Sequence, residues 1–170
     1  MKSQQRLFAR YAQHLPPGTL RWIGLRPKHR AAMLSVANCL ALKELGLEGD
    51  HRSSKTPGSG RQVTLISKEF IQQIAQHRQL SHLDPAMLRR NLVIEGININ
   101  ALRHQQFTIG EVLIEATALC HPCSRMEQAL GKGGVAAMLG YGGLCCKILS
   151  SGTIKVGDSL KVIVAQPELF

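Results

Sequence analysis

Short runs in which hydrophobic and polar positions alternate dominate this sequence, and they predict a chain rich in β-strands. The run LCCKILSSGTIKVGDSLKVIVA, near the C-terminus, alternates in this way and contains turn residues at positions 151–152 and 157–158. An earlier predicted strand ends before Pro27, and Gly110 marks the turn of a predicted hairpin. The other strand-like segments are TLRWIGLRP, QVTLIS, LVIEGINI and FTIGEVLIEATAL.

Helical spacing of apolar residues occurs in only a few places. A short helix is predicted within residues 1–15, ended by the segment LPPG, which cannot continue a helix. A second helix, KEFIQQIAQHRQL, is predicted to follow an N-cap at Ser67. The segment AAMLSVANCLALKELG is ambiguous, since its first half fits a strand and its second half fits a helical turn ending near Gly46. Many short strands, two modest helices and no βαβ alternation favour a mostly-β barrel or sandwich.

The charge balance changes this picture little. The sequence has 21 Lys and Arg against 11 Asp and Glu, a formal net charge of +10. Such a surface attracts polyanions, phosphorylated cofactors and acidic proteins. Charge-driven nucleic-acid binding ranks last among the functions considered, because a basic surface requires no such function and aromatic residues for stacking on bases make up only 4%.

Composition also bears on location. The sequence contains no apolar run long enough to span a bilayer, and its N-terminus lacks the apolar region and cleavage site of a secretion signal. Five cysteines, an odd number clustered late in the chain, are typical of reduced thiols rather than of a secreted disulfide framework. We therefore expect a cytoplasmic protein without a membrane partner.

The stretch EATALCHPCSRMEQ places Cys120 and Cys123 three positions apart. A structural zinc site is not expected, because the only other nearby pair, Cys145 and Cys146, would point to opposite faces of a strand. A thioredoxin-type pair is disfavoured because the motif follows a hairpin rather than opening a helix in a βαβ unit. Cys120 is interpreted as a small buried hydrophobe. Cys123, close to Arg125, could be a ligand for a thiophilic metal or a carrier of sulfur, and the residues alone do not decide between these.

Three polar segments could also bind ligands. In RRNLVIEGI, two arginines before a strand can clamp a phosphate and Asn91 can bond a heterocycle edge, but a solvated basic turn explains the spacing equally well. In GLEGDHR, the simplest interpretation is a turn in which Asp50 bonds its own backbone. The segment GKGGVAAMLGYGG matches neither common phosphate-binding glycine motif and is interpreted as a flexible loop.

Taken in order, five blocks resemble the MOSC domain, named for the C-terminal part of molybdenum cofactor sulfurases. The blocks are GLEGDHR, RQVTLIS, RRNLVIEGI, FTIGEVLIEATALCHPCSRME and GGLCCKILSSGTIKVGD, and the resemblance covers residues 20–163. It implies a closed antiparallel β-barrel of the pyruvate-kinase-barrel-like type with a few peripheral helices. On this basis we expect an N-terminal extension at residues 1–19 that can form a helix, the barrel domain at residues 20–165 and a tail at residues 166–170.

The resemblance also implies which residues carry function. A single cysteine at the position of Cys123 coordinates molybdenum, held by a pterin dithiolene, in relatives that reduce N-hydroxylated compounds. In sulfurase relatives the domain is thought to receive or present activated sulfur. Pyridoxal phosphate, often associated with the family, is expected to belong to a desulfurase-like domain for which this chain has no room. The cofactor-binding residues expected here are Arg90, Asn91, Arg52, Asp50 and Arg61.

Two departures from the family pattern matter. The turn has the order Asp-His-Arg rather than Asp-Arg-His, which leaves open whether His51 or Arg52 faces the site. The adjacent Cys145 and Cys146 are not part of the pattern, and either could form a disulfide with Cys123 or have no role.

Two functional hypotheses follow from the resemblance. In the first, the protein binds molybdenum cofactor through Cys123 and reduces N-hydroxylated compounds such as base analogues. Its electrons come from a partner reductase, because the sequence has no flavin or nicotinamide fingerprint. In the second, Cys123 carries a persulfide received from a cysteine desulfurase. Stand-alone relatives suggest that a homodimer can form.

Overall fold

The computed structural model describes residues 3–164 and shows a mostly-β protein with short helices at its periphery. Within this range the helices are α1 (Ser3–Ala12), α2 (Lys68–His77), α3 (Ser124–Leu130) and α4 (Gly134–Met138). The strands are β1 (Gly18–Leu25), β2 (Leu34–Val36), β3 (Asn38–Leu42), β4 (Gly46–Leu47), β5 (Val63–Ser67), β6 (Leu92–Glu95), β7 (Gln106–Ile109), β8 (Val112–Leu119), β9 (Leu144–Ile148), β10 (Gly152–Lys155) and β11 (Ser159–Val162).

Seven of these strands form a closed barrel, as the fold prediction expected. The pairing order is β11-β7-β8-β9-β5-β6-β1, and an additional pairing of β11 with β1 closes the circle. The register at this closure aligns Gly18 with Leu160 and Thr19 with Ser159. All barrel pairings are antiparallel except β5 with β6, which is parallel, so the barrel is mixed. Strand β2 extends the sheet beyond β1.

Local sequence signals explain several of these elements. The Ser67 hydroxyl accepts a hydrogen bond from the Phe70 amide at 3.0 Å, which confirms the predicted N-cap of α2. The predicted hairpin around Gly110 is confirmed as β7 and β8. The helical turn predicted to end near Gly46 is wrong. That segment forms a turn between β3 and β4, because its apolar residues complete a small sheet with β10.

The three strands that follow the cysteine motif, β9, β10 and β11, do not pair with one another, because β10 belongs to that small sheet. Strand β10 pairs with β3, whereas β9 pairs with β5 and β8, and β11 pairs with β1 and β7. Three strands that are consecutive in sequence therefore occupy three different places in the fold. The predicted tail at residues 166–170 lies outside the described residues. No helix within residues 3–164 has both the length and the apolar character needed to cross a membrane.

Two apolar clusters cover opposite faces of the barrel wall. One fills the barrel interior and includes Phe107, Leu65 and Cys146. The other lies outside the wall, where Ile66 and Val93 pack against residues of α2 and α3. Because side chains alternate along a strand, neighbouring residues of β5 and β9 reach different faces. The first residues of β5, Val63 and Thr64, border the polar site described next.

Candidate functional site

A strongly cationic pocket of about 270 Å³ lies at one end of β5, beside the loop that precedes it. Its lining includes His29 and His51 but, among the described residues, no carboxylate side chain. Like charges gathered around one cavity repel each other, so a bound anion would relieve an unfavourable arrangement. The seven Lys and Arg residues that line it are Arg26, Arg30, Arg52, Lys55, Arg61, Arg89 and Arg125.

Asp50 organises the loops beneath this pocket. It is only 4% exposed, and it caps the short 3-10 turn His51–Ser54, with Oδ1 accepting from the Arg52 amide at 2.9 Å. Its Oδ2 accepts from the Arg26 amide at 2.9 Å and from Asn91 Nδ2 at 3.0 Å. Asp50 therefore bonds its own turn, as the sequence suggested, and also joins that turn to two other segments.

Asn91 is fully engaged within the protein. Its Oδ1 accepts from the Thr64 amide at 3.1 Å, and its Nδ2 donates to the Gly24 carbonyl at 3.0 Å as well as to Asp50. The residue is buried and lines the pocket. Its predicted contact with a cofactor stays a prediction. The structure shows a second role, which is to hold β1, β5 and the Asp50 turn together.

The two consecutive arginines point to different places. Arg90 is buried, and its guanidinium donates to the carbonyls of Gly142 at 2.8 Å, Leu88 at 2.9 Å and Cys120 at 3.3 Å. Burial is the main cause of a lowered pKa at Arg90. Arg89, in the left-handed backbone region, lines the pocket and donates to the Ala31 carbonyl. Arg90 was predicted to contact the cofactor, and in the structure it braces the cysteine loop instead of lining the pocket.

The remaining predicted residues converge on the pocket. Arg52 and His51 both line it, so the order of these two residues in the turn does not exclude either from the site. Arg52 donates to the Ser59 hydroxyl. Arg61 also lines the pocket, and its Nη2 lies 3.7 Å from Cys120 Sγ. Arg89 belongs to the arginine pair considered for phosphate binding, and the sequence places Arg125 close to Cys123. Three further cations were not predicted, because they come from distant segments and only the net charge signalled them: Arg26, Arg30 and Lys55.

Cys123 lies on the surface, in the loop that leads into α3. It is exposed and precedes α3 as its N-cap residue, without a side-chain capping hydrogen bond. Cys123 does not line the pocket itself, but Arg125, two positions later, does. The predicted metal or sulfur role of Cys123 is untested, and its exposure leaves the thiol accessible to a ligand or a partner.

Cys120 has a different environment from the one expected. It is 2% exposed, as predicted, but it lies beside two guanidiniums rather than in an apolar cluster. A hydrogen bond from the Cys145 thiol, together with the charges of Arg90 and Arg61, lowers its pKa to about 6. The same contact, with burial, raises the pKa of Cys145.

Adjacent Cys145 and Cys146 face opposite sides of β9, as the alternation of a strand predicts. Cys146 belongs to the apolar cluster inside the barrel, where burial raises its pKa. Cys145 faces Cys120 on the outer side. Within residues 3–164, no group of three or more His, Cys, Asp or Glu side chains is placed to hold a metal ion.

Comparisons with known proteins agree with this architecture. No protein of curated function matches the sequence. Among solved structures, the fold is similar to the YuaD protein from Bacillus subtilis, with a TM-score of 0.76 and 16% sequence identity, covering 87% of this chain and 96% of that chain. It is also similar to YiiM from Geobacillus stearothermophilus, with a TM-score of 0.70 and 15% identity, covering 86% of this chain and 75% of that one.

YiiM from Escherichia coli has a TM-score of 0.66 and 18% identity, covering 89% of this chain and 72% of that one. Identities this low show a common fold and nothing further about activity. The family assignment comes from the sequence, since the model of the MOSC domain family matches residues 51–161, more than half of the chain. The chain therefore belongs to the MOSC domain family.

Proposed function

We propose that this protein binds molybdenum cofactor through the Cys123 thiolate and reduces N-hydroxylated compounds, with electrons supplied by a partner protein. The observation that carries the proposal is the pocket lined by seven cationic side chains and, among the described residues, no carboxylate. Molybdenum cofactor is an anionic, phosphorylated pterin, and clustered guanidiniums bind phosphate through charge-assisted hydrogen bonds.

The residues present fit such a group. A pterin dithiolene brings its own sulfur ligands to the metal, so a single protein thiolate is sufficient, and the exposed Cys123 can supply it. Arg52 and Arg61 line the pocket and would hold the phosphate. When bound, the cofactor would supply the two-electron chemistry that removes oxygen from an N–OH group.

Other side chains would position these groups. Asp50 fixes the Arg52 turn and the Arg26 backbone through hydrogen bonds of 2.9 Å. Arg90 holds the Cys120 carbonyl at 3.3 Å and thereby braces the loop that presents Cys123. Asn91, the next residue along the chain from Arg90, donates a hydrogen bond to the Gly24 carbonyl of β1. We therefore assign Arg90 and Asn91 a positioning role. The cofactor contact that the resemblance implies for these two residues stays a prediction.

Metal content tests this proposal directly. The protein is purified from a host that makes molybdenum cofactor, and molybdenum is measured by mass spectrometry while the pterin is measured by fluorescence after oxidation. We expect about one metal per chain in the wild type and loss of metal in Cys123→Ala. Cys39→Ala is the matched control, because Cys39 is a buried thiol of β3 within the apolar cluster, and it should keep the metal. Wild-type protein that contains neither metal nor pterin would refute cofactor binding.

Activity tests the second half of the proposal. Loaded protein supplied with a chemical reductant should convert N-hydroxylated bases to the parent bases, and Cys123→Ala should not. Loaded protein that is inactive on every N-hydroxylated compound tried would leave the cofactor assignment standing and remove the reductase assignment.

The exposure of Cys123 favours one alternative, a sulfur carrier. In this case the Cys123 thiolate attacks the outer sulfur of a persulfide on a cysteine desulfurase, and the desulfurase cysteine leaves as a thiolate. Incubation with the desulfurase and cysteine should then add one sulfur atom, about 32 Da, to the intact mass. The gain should disappear in Cys123→Ala and persist in Cys39→Ala. An unchanged wild-type mass would exclude this alternative.

A further inference from the structure

A pair of buried thiols lies directly behind the cationic pocket and has no part in the proposed cofactor site. Cys120 and Cys145 are 2% and 7% exposed, and the Cys145 thiol lies close enough to Cys120 to lower its pKa. The backbone register explains the contact. Cys145 pairs with Ala118, and the Cys120 amide donates to the Gly143 carbonyl at 2.8 Å, so both thiols lie on the outer face of the barrel wall.

Arg61 connects this pair to the pocket. Its guanidinium lines the cavity, and the same group reaches Cys120 Sγ at 3.7 Å. Arg90 holds the other side of the loop through the Cys120 carbonyl. Two guanidiniums beside one sulfur favour its thiolate form, which is the nucleophilic form of cysteine. The Cys120 thiolate in turn neutralises part of the charge that Arg61 presents to the pocket.

We propose that Cys120 and Cys145 are a thiol pair that peroxide oxidises to a disulfide, and that this disulfide makes Arg61 fully available to anions in the pocket. The second half of this inference rests on the proposed function, because it assumes that the pocket binds an anion. Neither Cys120 nor Cys145 was assigned a functional role by the family pattern, which concerns Cys123.

The chemistry balances with hydrogen peroxide as the oxidant. The Cys120 thiolate attacks one peroxide oxygen, the O–O bond breaks, and hydroxide leaves with Cys120 as a sulfenic acid. The Cys145 sulfur then attacks the sulfenic sulfur, the S–O bond breaks, and the leaving hydroxide takes the Cys145 proton to form water. The hydroxide from the first step takes a proton from the solvent and forms the second water. The two thiols lose two electrons and peroxide is reduced to two waters.

The other three cysteines differ from this pair, and the differences predict which thiols peroxide will oxidise. Cys39 and Cys146 lie in the apolar interior, and burial raises the pKa of both, to about 11 for Cys39. They should stay reduced. Cys123 is exposed and can also be oxidised, so it is the thiol that competes with Cys145 for Cys120. Among the cysteines of residues 3–164, Cys145 is therefore the one expected to pair with Cys120.

The first experiment identifies the disulfide. Purified protein is treated with hydrogen peroxide, denatured in an alkylating agent and examined by mass spectrometry. We expect a loss of about 2 Da and a linked peptide whose fragmentation joins Cys120 to Cys145. The link should form in Cys123→Ala, which removes the competing thiol, and in Cys39→Ala, and it should be absent in Cys145→Ser. No linked peptide, or a link from Cys120 to Cys123, would overturn the proposal.

The second experiment measures the effect on the pocket, with inorganic pyrophosphate as the probe and calorimetry as the readout. Oxidised wild type should bind the probe about fivefold more tightly than reduced wild type, and dithiothreitol should reverse the change. Peroxide should have no such effect on Cys145→Ser. Equal affinity of the two redox forms would refute the link to Arg61. Absence of binding in both forms would refute the anion site itself, while the peptide mapping would still decide whether the thiol pair exists.

Discussion

Replacing Asp50 by asparagine should destabilise the protein strongly, although the two side chains have nearly the same shape. Both carboxylate oxygens accept hydrogen bonds in the structure: Oδ1 from the Arg52 amide, and Oδ2 from the Arg26 amide and from Asn91 Nδ2. An asparagine would have to direct its own NH₂ group at one of these donors. One oxygen site would therefore lose its bonds whichever way the amide is turned.

The magnitude follows from burial and charge. A hydrogen bond to a charged group contributes about 1.5–3 kcal/mol, and a buried donor left without a partner costs a similar amount. Asp50 is 4% exposed, so water cannot replace the lost partner. Asp50 also forms an ion pair with the Arg26 guanidinium, at 3.4 Å from Nε. Losing at least one hydrogen bond, together with the negative charge that faces Arg26, should lower the free energy of unfolding by about 3 kcal/mol. With a typical slope of about 2 kcal/mol/M, the urea midpoint should fall by about 1.5 M.

Urea denaturation followed by circular dichroism measures this change. Asp84→Asn is the matched control, since Asp84 is exposed and accepts one bond, from the Ala86 amide at 2.9 Å. Its midpoint should change by less than about 0.5 M. If Asp50→Asn and Asp84→Asn shift the midpoint equally, Asp50 is not the buried link between the loops that the geometry indicates.

Three further predictions concern neighbouring parts of the fold. Gly143→Ala should lower the free energy of unfolding, measured by urea denaturation, by at least about 3 kcal/mol more than Gly140→Ala. Both glycines have positive φ, but only at Gly143 would the added Cβ overlap a backbone carbonyl of β5. Equal losses of stability in the two variants would contradict this prediction. Ser67→Ala should cost about 1 kcal/mol in the same assay, through loss of the α2 cap, and an unchanged midpoint would show that the 3.0 Å bond does not stabilise the helix. The Cys120 pKa is lowered to about 6, mainly by the Cys145 thiol, so the thiolate stabilises the fold fully above the ordinary pKa of 9.0 and loses this effect as the pH falls towards 6. The loss of unfolding free energy in Cys120→Ser should therefore be larger at pH 9 than at pH 6. If the loss is the same at both pH values, the Cys120 thiolate does not stabilise the fold.

The sequence by itself determined the local elements and the family. Strand segments followed from alternation, the start of α2 followed from Ser67, and the hairpin followed from Gly110, because each signal depends on residues close together in the chain. The opposite directions of Cys145 and Cys146 were also predictable, since side chains alternate along any strand. The order of five short blocks was sufficient to indicate the MOSC barrel.

Only the tertiary structure decided how the site is composed. The cations of the pocket come from segments as far apart as Arg26 and Arg125, and they meet because barrel closure and long-range strand pairing bring those segments together. The sequence likewise could not show that Arg89 faces the pocket while Arg90 braces a loop, or that Cys120 contacts Cys145. Each of these depends on which strands become neighbours, and that is set by the packing of the whole barrel rather than by any local pattern.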